Sequence, residues 1–181
     1  MGLHASDTSQ LVLEDCRVPE RDRIGTEGAA FDDVKRVLDK GRIGIGALAL
    51  GHGRAALETA IAYAKERKQF GRPLAEFEMI QWKIVRARTQ LDAGRLLVHR
   101  AAALADRGKP FGVAASKAKL YATEAASRAA NDSLQILGGY GYLRDYPVER
   151  ILRDARLMEI GEWTSEVQSI VMAKDLARQA S

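Results

Sequence analysis

From Phe31 onward apolar residues recur every three or four positions, and the recurrence breaks only at a few Gly and Pro clusters. That spacing commits most of the chain to amphipathic helices, because residues three and four apart share one face of a 3.6-residue turn. Phe31, Val34, Leu38, Ile45, Leu48, Leu57, Ile61 and Ala64 predict one long helix after the turn-like Gly25 to Gly28. It should end near Phe70-Gly71-Arg72-Pro73, where Gly can cap and Pro cannot continue. A second helix carries Phe77, Ile80, Ile84, Ala87, Leu91, Gly94, Val98 and Ala101, and stops at Asp106-Arg107-Gly108-Lys109-Pro110. A third, Ala-rich, runs from about Val113 to Leu137 with Leu120, Leu134 and Leu137 inward, and Gly138 to Gly141 terminates it. Pro147 fits the first position of a short helix through Val148, Ile151, Leu152 and Ala155. A last helix follows Thr164, with Ser165 and Gln168 spaced as a capping box. The expected fold is all-α, an antiparallel four-helix bundle.

Residues Thr8 to Arg17 read differently: Leu11, Val12 and Leu13 between polar flanks predict one short strand. A lone strand leaves its backbone groups unpaired, so it requires a partner within this chain, on another chain, or in a further domain. The chain therefore divides into a β remnant over residues 1–25 and a helical bundle over residues 26–181.

Composition narrows the function classes. Hydrophobic residues at 46% and charged residues at 29% suit a globular protein with a real core. The net charge of +4 comes from Lys and Arg interspersed with Asp and Glu, which argues against a nucleic-acid partner. Cys16 is the single cysteine and the three histidines are scattered, so neither a disulfide nor a metal site is expected. The longest uncharged apolar stretch, Ile43 to Gly53, lies between Arg42 and Arg54 and is too short to span a membrane. No basic leader precedes an apolar segment at the N-terminus, so the expected location is cytoplasmic.

Several residues could carry chemistry. Glycines 41, 44, 46, 51 and 53 inside the first helix each cost up to about 1 kcal/mol relative to Ala, so a helix or a ligand should approach there. The Gly44-x-Gly46 and Gly51-x-Gly53 pairs lack a preceding strand and read as packing positions, not as a dinucleotide fingerprint. Gly138 to Gly141 is either a helix stop or a bare backbone beside a ligand. Asp39 with Arg42, and Arg67, are explained by ion pairing alone. Glu162 precedes a helix N-terminus between Ile160 and Trp163, surroundings that suit either a cap carboxylate or a general base.

Six stretches in order add a resemblance. Met1-Gly2-x-His4-Ala5-Ser6, Leu38-Asp39-x-Gly41-Arg42-Ile43, Glu66-Arg67-Lys68-Gln69-Phe70-Gly71, Gln135-Ile136-Leu137-Gly138-Gly139-Tyr140-Gly141, Tyr146-Pro147-Val148-Glu149-Arg150 and Arg153-Asp154-Ala155-Arg156 together resemble the C-terminal half of an acyl-CoA dehydrogenase. The resemblance covers essentially the whole chain and about half of a family member. It implies oxidation of an acyl-CoA thioester to trans-2-enoyl-CoA in fatty acid metabolism, with FAD as hydride acceptor and an electron-transferring flavoprotein as reoxidant. It further implies a homo-oligomer, dimer or tetramer, and the mitochondrial matrix if the chain is eukaryotic. The chain alone is expected to be inactive, since most of the flavin-binding β domain is missing.

Residue by residue, the resemblance makes Glu162 the base that removes the α-proton, since Gly161-Glu162-Trp163-Thr164 matches the family's Tyr-Glu-Gly-Thr. In another branch the base sits just before the residue matching Arg42, where this chain has Gly41. Arg67, Phe70, Gln135, Gly138 and Gly139 match contacts to the FAD of a neighbouring subunit; Thr164 and Glu166 match contacts to the subunit's own FAD; Asp39 and Arg42 match acyl-CoA contacts. Trp163 stands where the family usually has Gly, Gly161 where an aromatic is common, and Glu78 where Gln is frequent. The moved bulk either reshapes the pocket floor or closes it. The second case corresponds to the alternative function, a non-catalytic bundle subunit completing the FAD site of a related partner chain.

Overall fold

The computed structural model describes residues 1–179. Five α-helices follow one another: α1 (Ala30–Glu66), α2 (Glu78–Asp106), α3 (Gly112–Leu137), α4 (Val148–Ile160) and α5 (Ser165–Gln179). Helix α3 is the central element, touching α1, α2, α4 and α5, while α1 also packs on α2 and α4. The all-α bundle expected from periodicity is therefore present, with α5 added against α3.

The core of α3 is alanine. Ala115, Ala118, Ala122, Ala125, Ala126, Ala129 and Ala130 are buried; Ala126 clusters with Ala49 and Ala130 with Ala56 of α1, while Ala115, Ala118 and Ala122 cluster with Val98 and Ala101 of α2. Leu120 and Leu134, expected inward, are only half-buried; Leu137 alone of the three reaches the core. Small side chains let the helix axes approach closely, and Gly53 marks the tightest point of that seam. A Cβ there would lie 3.0 Å from the Ala126 Cα and 2.6 Å from a Leu91 methyl. Asp132 of α3 ties α2 to this core through ion pairs with Lys83 and Arg86.

Not all of α1 is enclosed. Phe31, Val34 and Val37 in its first turns are exposed, as is Leu48, so the apolar face read from Phe31 to Ala64 is buried only in its later part. The helix ends at Glu66, and Lys68–Gln69 (β1) pairs antiparallel with Arg72–Pro73 (β2) around Phe70 and Gly71, both at positive φ. This tight hairpin redirects the chain into α2.

The strand expected over Thr8 to Arg17 is not formed. These residues have no regular structure among the described residues, and Leu11, Val12 and Leu13 are 89%, 68% and 79% exposed. No described segment offers them a ladder, so the β pattern stays without pairing. The first residues are nonetheless anchored: the Leu3 amide donates to Asp154 Oδ1 at 2.6 Å, and Arg153 donates to the Met1 carbonyl at 2.7 Å. Gly2 fits this anchor because a Cβ would fall 2.5 Å from the Arg153 carbonyl.

Candidate active site

Glu162 lies in the four-residue turn, 161–164, between α4 and α5. It and Trp163 both adopt left-handed backbone, at φ 51° and 69°, conformations that cost non-glycine residues energy unless surrounding contacts impose them. The turn aims the Glu162 carboxylate at α1. A Cβ on Gly41 would meet Glu162 Oε2 at 2.5 Å and its Cδ at 2.7 Å, so the missing side chain is what admits the carboxylate. Oε2 is buried and has no hydrogen-bond partner among the described residues.

One turn of side chains surrounds this carboxylate. Arg42, only 2% exposed, donates to Asp39 Oδ1 at 2.6 Å and to Ser116 Oγ at 3.2 Å. Its guanidinium lies over the Trp163 ring, 4.9 Å from the centroid, so the indole packs on Arg42. Lys119, fully buried, donates to the carbonyls of Glu159 at 3.0 Å and Trp163 at 2.7 Å. Burial pushes the Lys119 ammonium down to about 8; nearby Arg42 adds to the shift, while Glu159, Glu166 and Glu162 oppose it. Thr164 hydrogen-bonds the Glu166 carboxyl and, with a backbone amide, holds it below the usual carboxylate range.

The capping box expected from Ser165 and Gln168 is absent. Gln168 instead turns back beneath the loop and donates to the carbonyls of Glu162 at 3.1 Å and Trp163 at 3.0 Å, and Ser165 Oγ has no partner. Helix α5 begins at Ser165 itself, which puts this serine inside the helix and not at its N-cap, and among the described residues the Gln168 Oε1 that a box would use has no partner.

Asp39, Arg42, Glu162, Thr164 and Glu166 thus converge at one end of the bundle. The other predicted residues gather elsewhere. Arg67 caps the far end of α1 and lies over the Tyr140 ring, 5.8 Å from its centroid. With Gln69, Gly138 and Gly139 it lines an open cavity of about 560 Å³, backed by Tyr63, Leu74 and Ile136. Around the Cβ positions of Gly138 and Gly139 nothing lies within 4 Å, so their backbone is free for close approach. Phe70 is 92% exposed at the hairpin tip, and Gln135 is exposed on α3. At about 1.5 Å rise per residue, Arg42 and Arg67 stand roughly 37 Å apart along α1.

The family model described as the C-terminal domain of acyl-CoA dehydrogenases matches residues 29–177. The chain belongs to the acyl-CoA dehydrogenase family. A probable acyl-CoA dehydrogenase of Bacillus subtilis is 48% identical over 178 residues, which are 98% of this chain and 47% of that protein. A short-chain-specific acyl-CoA dehydrogenase of Megasphaera elsdenii is 45% identical over 98% of this chain and 46% of its own length. The solved butyryl-CoA dehydrogenase of Megasphaera elsdenii superposes with a TM-score of 0.90 at 44% identity, covering 92% of this chain and 43% of that one. The chain spans about half the length of these acyl-CoA dehydrogenases and carries their C-terminal domain.

Lys119 and Ser116 were not singled out as site residues by motif or resemblance. Lys119 had a signal in the sequence: it occupies the buried register of α3 between Ala115 and Ala122, where a lysine needs a buried acceptor.

Proposed function

We propose that this domain supplies the base and the flavin-facing interface for α,β-dehydrogenation of an acyl-CoA thioester to trans-2-enoyl-CoA, within a longer FAD-dependent protein. The observation that carries the reading is Glu162 Oε2, buried without a donor against Gly41. A carboxylate oxygen kept clear of protein donors retains a lone pair for a substrate proton.

In this reading Glu162 takes the α-proton onto Oε2, and its backbone N–H helps hold the thioester oxygen as enolate character develops. Arg42, fixed by Asp39 and Ser116, holds Trp163 to one side and leaves the carboxylate its approach along Gly41. Asp39 and Arg42 mark the acyl-CoA side. Thr164 and Glu166, at the start of α5, face the subunit's own flavin.

The residues of the distant cavity also suit FAD. A guanidinium fork, bare glycine backbone and a Tyr-lined wall match a pyrophosphate with an attached ring system. Arg67, Phe70, Gln135, Gly138 and Gly139 would hold it, and bound FAD supplies the hydride acceptor for the β-hydrogen. The separation of the two constellations exceeds what one flavin spans, which supports assigning the second to a neighbouring subunit's cofactor in a homo-oligomer. An electron-transferring flavoprotein is the proposed reoxidant. The isolated chain, lacking the family's β domain, is proposed to be inactive.

The test is Glu162→Gln in a chain extended to full family length. The expected result is a fall of about 10²–10⁴-fold in α-proton exchange from a saturated acyl-CoA. Exchange at the native rate, with a loss only on Arg67→Ala, would favour the non-catalytic interface module.

A further inference from the structure

A buried lysine that makes no ion pair needs a reason to be there. Lys119 is fully enclosed, and among the described residues its Nζ has two hydrogen-bond acceptors, both main-chain carbonyls. One belongs to Glu159 in the last turn of α4, where unpaired carbonyls favour a cation; the other belongs to Trp163, immediately after the base. A methionine would fill similar space without the cost of burying charge. What the ammonium adds is a bridge across the Glu162 turn.

That turn needs one. Glu162 and Trp163 in succession hold positive φ with bulky side chains, and such strain persists only where neighbours impose it. The carbonyls of these same two residues are the ones restrained: Gln168 holds both, and Lys119 holds the second. These two peptide planes flank Trp163, and the first of them directly follows Glu162, so holding them fixes the turn on the C-terminal side of the residue that carries the carboxylate.

We propose that Lys119 is the positioning residue of the base loop: its ammonium ties the end of α4 to the Trp163 carbonyl and thereby sets the turn that seats the Glu162 carboxylate against Gly41. This rests on the reading of Glu162 as the base. The charged groups that face the ammonium are Glu159 on α4, Glu162 in the turn and Glu166 on α5, which favour it, and Arg42 on α1, which opposes it. Lys119 acts through the backbone of the turn and touches no reacting atom.

The test uses the 181-residue chain with 5-fluorotryptophan, since its two tryptophans give two ¹⁹F signals and Trp82→Phe assigns them. The Trp163 signal should shift through one transition near pH 8, as Lys119 titrates beside the Trp163 carbonyl. Lys119→Met should abolish that transition and speed amide exchange at residues 162–164 by about tenfold or more, leaving Ala122 to Ala130 of α3 at their original rates. Lys119→Arg, which keeps charge and donors, should restore slow exchange. Unchanged exchange at 162–164 in a folded Lys119→Met chain overturns the proposal. Should Lys119→Met not fold, Lys119→Leu decides by the same readout: exchange at residues 162–164 as slow as in the unmutated chain overturns it equally. Neither readout involves flavin or thioester, so the outcome is separate from that of Glu162→Gln.

Discussion

The two ends of α1 differ in how much of a site they finish. At the Arg42 end every functional group has its restraint within the chain: Arg42 is held by Asp39 and Ser116, and the Glu162 turn by Lys119 and Gln168. At the Arg67 end the residues are exposed, the glycines face open space, and the cavity has a wall on one side only. The first is organised before any ligand arrives, which fits the proposed role of Glu162 as a base acting without reorganisation. The second presents chemistry outward and fits a surface completed by another molecule. One bundle can therefore contain a self-sufficient half-site and an incomplete one, because a helix of this length carries its two ends into unrelated surroundings.

The strongest way to break the contrast is Gly41→Ala. Its methyl would occupy the place of the Glu162 carboxylate, so α-proton exchange in the full-length protein should fall by about a hundredfold. The helix itself should gain up to about 1 kcal/mol, visible as a raised melting temperature of the chain. Loss of exchange without loss of stability would separate the base's seat from the fold; unchanged exchange would remove Gly41 from the site.

Gly53→Ala is the control between the two ends, since its Cβ would press on Ala126 backbone instead of on a mobile carboxylate. It should destabilise the chain by about 1–2 kcal/mol in denaturant unfolding, overpacking outweighing the gain in helix propensity. Arg67→Ala should do the reverse of Gly41→Ala: leave the stability of the isolated chain unchanged, because the side chain is exposed, yet weaken FAD retention in the full-length oligomer about tenfold. Equal FAD affinity would dissolve the idea of an incomplete half-site.

A pH dependence of stability is expected from Lys119 as well. Its folded value is pushed below the ordinary 10.5 to about 8, so between these values the unfolded chain binds more protons than the folded one. Its contribution to stability accordingly rises from pH 8 to 10.5. Denaturant midpoints at pH 7.5 and 9.5 should show this rise in the unmutated chain and lose it in Lys119→Met.

The helices were legible because their periodicity depends on local spacing alone, and Gly and Pro punctuation placed the ends of α2 and α3 within a residue or two. Glu162, Arg42 and Arg67 were singled out through their motifs, and the structure places the first two at one end of the bundle and Arg67 at the other. The strand at Leu11 to Leu13 was not, since β pattern expresses itself only where a partner ladder exists. The role of Gln168 was misread for a similar reason: spacing from Ser165 describes a cap, but the competing acceptors come from the turn folded above it. Gly41 shows the limit most clearly. Its sequence context excludes it as a base, whereas its purpose appears only when a residue 121 positions later is brought against it.

The anchor of Leu3 on Asp154 joins residues 151 apart, almost the whole described chain. Closing so long a loop carries a large entropic cost, so contacts of this kind are expected to form late in folding. The exposed stretch between this anchor and α1 offers proteases an open target. A cut there would release the first residues from a latch of a few hydrogen bonds and leave the bundle and the Glu162 turn standing. The N-terminal segment is thus held by a small latch at the far side of a long loop.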